Sequence, residues 1–265
     1  MSETPAETPA ATIAALYRYP VKGLSPEPLT SAALVPGEML AADRRYAVEN
    51  GPSGFDPAAP AFFPKTYFLM LMRDERLAAL ETHYDDESHV LTVRREACEV
   101  ARGDLSTAEG RQAIETYLAA YCAGDLRGPP RVLAAAGHNF SDFAPKVVSL
   151  INLGSLAAIA REVGQPVDPL RFRANVYLDG WPAWHELDLV GATLAIGEAR
   201  LKVVKRIKRC AATNVDPVTA KRDLNIPQTL MRMLGHVDCG VYAEVVAGGT
   251  MRPGDRLTRL YSGMT

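Results

Sequence analysis

Between residues 12 and 21, Ala15, Tyr17 and Tyr19 alternate with Ala14, Leu16 and Arg18, the two-residue period of a β-strand. "LTSAALVPGE" supplies a second strand that ends in a Pro-Gly turn, and "DRRYAVENGPSGFDPAAPAFFP" starts extended and becomes a Gly- and Pro-rich loop. The apolar run "TYFLMLM" reads as a short buried strand. "DERLAALETHY" has helical spacing through Leu77, Leu80 and Tyr84, and "HVLTVRR" returns to strand. In "STAEGRQAIETYLAAY", Ser106 and Glu109 make a capping-box pattern before one apolar helix face of Ile114, Leu118 and Tyr121.

The loop-rich stretch "CAGDLRGPPRVLAAAGHNFSDFAPK" marks a boundary. "VVSLINLGS" then predicts a strand running into a loop, with Ser155 as N-cap of the helix "LAAIAREV". From Phe172 the pattern is mostly β, in "RFRANVYL", "ATLAIG", "RLKVVKRI", "GVYAEVVA" and "DRLTRLY". One helix, "IPQTLMRMLGH", interrupts these strands, with Pro227 suited to its first turn. Short strands with few helices predict an α+β fold around a closed or nearly closed barrel. The expected division is a disordered tail over 1–11, an N-terminal domain over 12–130 and a barrel domain over 131–265. The segment between the halves is too short to be a long flexible tether, so they are expected to pack together.

Composition narrows the choice of partners. The 265 residues are 48% hydrophobic and 23% charged, ordinary for a folded domain of this size, which needs no disulfide staple. With 29 Lys and Arg against 31 Asp and Glu, the net charge is −2, which argues against a general nucleic-acid binder. Cys98, Cys122, Cys210 and Cys239 form no CxxC or ferredoxin spacing, so a reducing compartment is expected. "MSETPAETPAAT" has no signal-peptide character and no run of about 18 apolar residues follows, so the expectation is a cytoplasmic chain with no membrane partner.

Against that acidic balance, Lys202, Lys205, Arg206, Lys208 and Arg209 fall within eight residues with no acid among them, and run into Cys210. Cations beside a thiol favour its thiolate, the form that ligates metals or attacks electrophiles. The same stretch admits a buried core cysteine with snorkelling cations, or an anion patch with an incidental cysteine. In "RFRAN", Arg171, Arg173 and Asn175 would share one strand face, able to grip phosphate or a heterocycle edge or simply to face solvent. Lys22 in "YPVKG" and Arg44 in "DRRY" say little alone. The five histidines show no paired-ligand spacing, and GxGxxG, P-loop and GxSxG motifs are absent.

In order, "LYRYPVKGLSPEPL", "KRIKRCAATNVDPVTAKRD" and "GHVDCGVYAEVVAGGTMRPGDRL" resemble the MOSC family with its N-terminal β-barrel domain. In this two-domain form they resemble the mitochondrial amidoxime-reducing component and its bacterial relatives. The resemblance implies a mixed β-barrel MOSC domain with a smaller N-terminal β-rich α/β domain. It implies a molybdenum–molybdopterin cofactor, with Cys210 as the protein's sulfur ligand to molybdenum and as the catalytic residue. By motif position it implies cofactor contacts from Lys22, Arg44, Asn152, Ser155, Arg173, Asn175 and Arg209. The implied activity is reduction of small N-hydroxylated compounds by oxygen-atom transfer, with electrons from a separate flavin or iron–sulfur reductase, since the chain carries no fingerprint for either group. The sequence departs from relatives at Gly23, Lys208, Leu189 and Ala220, the last standing where glycine is usual. Two other readings compete: a carrier of cofactor or sulfur without turnover, and an RNA-binding barrel using the stripe at 202–209, which lacks interleaved aromatics.

Overall fold

A computed structural model describes residues 10–261; most of the tail expected over 1–11 lies outside them, and Ala11 already opens the first strand. The first half comprises β1 (Ala11–Arg18), β2 (Glu27–Leu29), β3 (Ala32–Leu34), β4 (Ala47–Asn50), β5 (Glu81–Tyr84), β6 (Val90–Arg95) and β7 (Cys98–Asp104), then α1 (Ala108–Tyr121) and β8 (Pro130–Leu133). The second comprises β9 (Val148–Asn152), α2 (Leu153–Val163), β10 (Val176–Asp179), β11 (Thr193–Ile196), β12 (Ala199–Lys208), α3 (Ile226–Leu234), β13 (Asp238–Ala247), β14 (Gly249–Met251) and β15 (Arg256–Leu260).

Seven strands close a mixed barrel in the order β1-β10-β9-β13-β12-β11-β15, and β15 returns to β1. Only β9 and β10 run parallel among the barrel pairs of the described residues, and α2 supplies the crossover that such a pair requires. Because β1 pairs with β10 and β15, the barrel takes strands from both sides of residue 130. Its interior is filled by inward positions such as Ile13, Leu150, Val176, Leu194, Leu201 and Val241, each no more than 1% exposed. In β12 the alternation is plain: Ala199, Leu201 and Val203 point in, with Arg200, Lys202 and Val204 between them.

A second core lies in the first half, where the sheet β5-β6-β7 packs with α1 through Leu77, Leu91, Val93, Ile114 and Leu118. The fold is therefore α+β, a mixed barrel joined to a smaller β-rich lobe. Several local expectations change. "TYFLMLM" forms a 3-10 turn, Lys65–Tyr67, and a buried irregular stretch, its apolar run serving a core without a ladder. "DERLAALETHY" splits into the 3-10 helix Glu75–Ala79 and β5; three-residue spacing suits a 3-10 turn as well as an α-helix. Thr107, not Ser106, caps α1, accepting from Gly110 N at 3.0 Å. Asn152, not Ser155, caps α2, so strand passes directly into helix.

Candidate functional site

The strand β12 ends at the barrel rim, and Cys210 follows it in extended conformation, φ −123° and ψ 176°. Its carbonyl accepts from Thr213 N at 3.0 Å and Thr213 Oγ1 at 2.9 Å, which starts the tight turn Ala211–Asn214. The sulfur is half-buried at one wall of a cleft of about 340 Å³ between the barrel rim and the first half of the chain. Lys22, Arg44, Arg173, Asn175, Arg209 and Cys210 all line this cleft; Asn152 and Ser155 do not. Nine of its lining residues are Lys or Arg and one, Asp142, is acidic, a local reversal of the chain's net charge.

The cation on the sulfur is not one of the five in the basic stripe. Lys65 Nζ lies 3.2 Å from Cys210 Sγ, and Lys65 comes from "FFPKTY" in the first half, with no local signal to mark it. The stripe's own cations are drawn elsewhere: Lys202 to Gly191 O, Arg206 to Leu187 O at 2.8 Å, and Lys205 to a place 4.6 Å over the Phe143 ring. Asp142 ties the lysines together. It pairs with Lys22, which also donates to Phe140 O at 2.9 Å, and lies 3.5 Å from Lys65. Burial would raise the Asp142 carboxyl, but the charges of Lys22 and Lys65 hold it down at about 2. Burial opposes the charge on Lys65, yet Asp142 and Cys210 keep its ammonium above the usual lysine range.

The "RFRAN" segment is not the strand its spacing suggested. Pro169–Phe172 is a 3-10 turn and Arg173 is left-handed at φ 52°, so the side chains do not alternate across a pleat. Buried Arg171 pairs with Asp216 and Asp223, both at 2.7 Å. Arg173 has no carboxylate partner among the described residues, and burial brings its guanidinium down to about 10. Arg44 is also left-handed, at φ 48°. It grips Asp43 with one nitrogen and donates to Arg173 O at 2.8 Å with the other. Both guanidinium carbons lie 4.4 Å from the centroid of the buried Tyr19 ring. Two bulky residues in this strained region are thus locked by one aromatic platform.

The remaining expected contacts are committed to structure to different degrees. The Asn175 amide accepts from Ser149 N and Oγ and donates to Tyr17 O at 3.1 Å, pinning β9 and β1 beside β10. Arg209 donates to Cys239 O at 2.6 Å and Phe172 O at 2.8 Å, but its Nη2 is buried with no partner among the described residues. Gly240, at φ 80°, gives this guanidinium room: a Cβ there would stand 2.9 Å from Nη2. Asn152 caps α2 and donates to Pro182 O at 2.7 Å, and Ser155 donates to buried Glu186. Both side chains are occupied in these contacts, and neither lines the cleft.

The lining of the cleft suits an anion, with a thiol at the same wall able to ligate a metal. Among the described residues Arg173 lacks an acid and Arg171 Nε and Arg209 Nη2 lack any partner, and in the lining cations outnumber acids. The MOSC domain matches residues 136–258 of this chain, and the MOSC N-terminal beta barrel domain matches residues 10–144, about half its length. The YUAD protein from Bacillus subtilis aligns over 94% of both chains at 13% identity, with a TM-score of 0.42. YiiM from Geobacillus stearothermophilus aligns over 44% of this chain and 55% of its own at 19% identity, TM-score 0.35. YiiM from Escherichia coli does so over 44% and 56% at 23% identity, TM-score 0.33. No curated protein matches the chain.

Proposed function

This chain belongs to the MOSC family, in the form that carries the MOSC N-terminal beta barrel domain, and from that premise we propose that its cleft holds a molybdenum–molybdopterin cofactor and reduces small N-hydroxylated compounds. The observation that carries the proposal is the half-buried Cys210 sulfur beside Lys65, in a cleft where Arg209 Nη2 is buried without a partner and Arg173 has no carboxylate partner among the described residues. The cofactor would supply two-electron redox chemistry and an acceptor for the substrate's oxygen.

The residues of the chain have separable roles in this reading. Arg173 and Arg209 would hold the phosphate, because charge-assisted bonds exceed neutral ones in strength. Arg44 fixes Arg173 through its carbonyl and through Tyr19. Cys210 would ligate the metal, with the Lys65 ammonium 3.2 Å from its sulfur. Lys22 and Asp142 hold the loop over 140–142 against the first half. Electrons would come from a separate flavin- or iron–sulfur-containing reductase.

The test is metal analysis and pterin fluorescence on protein from a host that makes the cofactor, followed by reduction of benzamidoxime with a chemical reductant. Wild-type protein should carry molybdenum and turn the substrate over. In Cys210→Ala, activity per bound molybdenum should fall by at least about 100-fold, as for a group whose contribution is made at the reacting centre. Near-normal activity per metal in that variant would remove Cys210 as ligand. Molybdenum without turnover in the wild type would favour a cofactor carrier.

A further inference from the structure

A second cavity of about 280 Å³ lies against the cationic cleft. Leu24, Leu77, Leu80, Leu170 and Val215 supply apolar walls. Two of its polar lining groups are spent in local bonds, while Glu81, also lining it, is exposed. Ser25 Oγ donates to Leu80 O at 2.6 Å and accepts from Thr82 N at 3.0 Å; Asp168 accepts from Leu170 N at 2.8 Å. Arg171 is ion-paired, which leaves Arg173 as the lining cation with no carboxylate partner among the described residues.

Gly23, Leu71, Arg171, Arg173 and Ala212 line both cavities, so at that wall no more than one residue's thickness separates them. Ala212 is two positions past Cys210. Gly23 makes the close approach possible: at φ 85°, a Cβ there would stand 2.8 Å from Leu69 O. The cavity is open at Val218, which is 80% exposed.

Resting on the reductase reading of the Cys210 cleft, we infer that this cavity is the substrate subsite, and that it takes an uncharged molecule with a one- or two-ring apolar body and a small oxygen-bearing head. Apolar pockets between lobes with a few polar groups are the usual form of a small-molecule site. A dry cavity of about 150 Å³ accepts benzene, so this one accommodates a substituted ring. The walls desolvate the ring, and the head's oxygen faces the shared wall, on the side of Ala212 and the Cys210 turn. The polyanionic cofactor belongs in the other cavity, where the cations are.

Ala78, half-buried in the helix Glu75–Ala79, lines the apolar cavity but not the cationic cleft. Ala78→Phe should lower kcat/KM for benzamidoxime about tenfold or more relative to ringless hydroxylamine, the discrimination expected when an apolar pocket is refilled. Molybdenum per chain should match wild type. Equal losses on both substrates, or loss of molybdenum, would overturn the subsite. Val218→Asp, on an exposed side chain that does not threaten folding, should lower the same ratio by roughly threefold through a charge at the opening; an unchanged ratio there also counts against it.

Should the protein reduce neither compound, saturation-transfer NMR of benzamidoxime with the purified chain separates the two claims. Binding to wild type that Ala78→Phe weakens keeps the subsite while the reductase reading falls. No binding to wild type sinks the subsite itself.

Discussion

The barrel interior and the cleft at its rim are built from the same strands, yet they use side chains in opposite ways. Inside, Leu150, Leu194, Leu201 and Val203 are completely buried and apolar. At the rim, β12 runs on past Val203 with two register shifts against β13, and that stretch carries Lys205, Arg206 and Lys208. There, among the described residues, the chain keeps an arginine with no acid, two arginines in left-handed backbone and two guanidinium nitrogens with no partner. Each of these costs folding free energy. The interior stabilises the molecule; the rim spends some of that stability on holding donors ready for an anion.

That contrast makes opposite predictions for truncation. Leu194→Ala removes a buried side chain from β11 and should cost about 2–5 kcal/mol, read by urea denaturation of the purified chain. Cofactor content per folded molecule should be unaffected, because Leu194 does not line the cleft. A loss below about 1 kcal/mol would mean the barrel interior relaxes around the gap.

Arg173→Met should behave in reverse. Burial works against the Arg173 charge, lowering its pKa to about 10, so the charged form is disfavoured by folding and its removal should raise the melting temperature of cofactor-free protein. Cofactor content should meanwhile fall by roughly 10- to 100-fold, the loss of a hydrogen bond to a charged group. A variant that is less stable and still fully loaded would show Arg173 to be structural, like its neighbour Arg171.

The pair Arg171 and Arg173 also shows how far sequence reading reaches. Alternation identified the barrel strands because their residues face either core or solvent, a two-state choice that polarity records. It failed at "RFRAN", where a 3-10 turn and a left-handed residue destroy the period, and two like residues acquire unlike partners. The acids that neutralise Arg171 lie more than 40 positions away. Cys210 was legible because a dense local motif surrounds it. Lys65 was not, since its place beside the sulfur depends on how a loop 145 positions earlier packs against the rim. Asn152 and Ser155 fall outside the cleft lining; a polar residue where strand meets helix can equally cap the helix, and here Asn152 does.

Asp142 tests the electrostatic side of the rim. Lys22 and Lys65 hold its carboxyl at about 2 in the folded state, against roughly 3.9 in an unfolded chain. A depressed carboxyl contributes stability above the unfolded value and loses it as pH falls through the folded one. The loss attached to Asp142 should therefore fall between about pH 4 and pH 2. With the side chain 43% exposed, salt should screen much of the effect. Melting temperature against pH should drop less steeply for Asp142→Asn than for wild type in that window. Parallel curves would mean that the pair with Lys22 contributes nothing net.

The smallest expected effect concerns a residue of neither region's core, just beyond the Cys210 turn. Ala220 stands at φ 56° in the loop after β12, its amide donating to Asp216 O at 3.0 Å. Asp216 in turn anchors buried Arg171 at 2.7 Å and caps the amides of Val218 and Thr219, so the loop cannot easily abandon the left-handed turn. For alanine that conformation costs about 1 kcal/mol or slightly more, whereas glycine adopts it freely. Glycine's greater unfolded-state entropy takes back roughly 0.5–1 kcal/mol. Ala220→Gly should therefore change stability by between about 0 and +1 kcal/mol, with no change in cofactor content, measured by paired denaturant titrations. A clear destabilisation would mean that the Ala220 methyl makes contacts outweighing its backbone strain, and that this alanine is a packing choice rather than a tolerated cost at the rim.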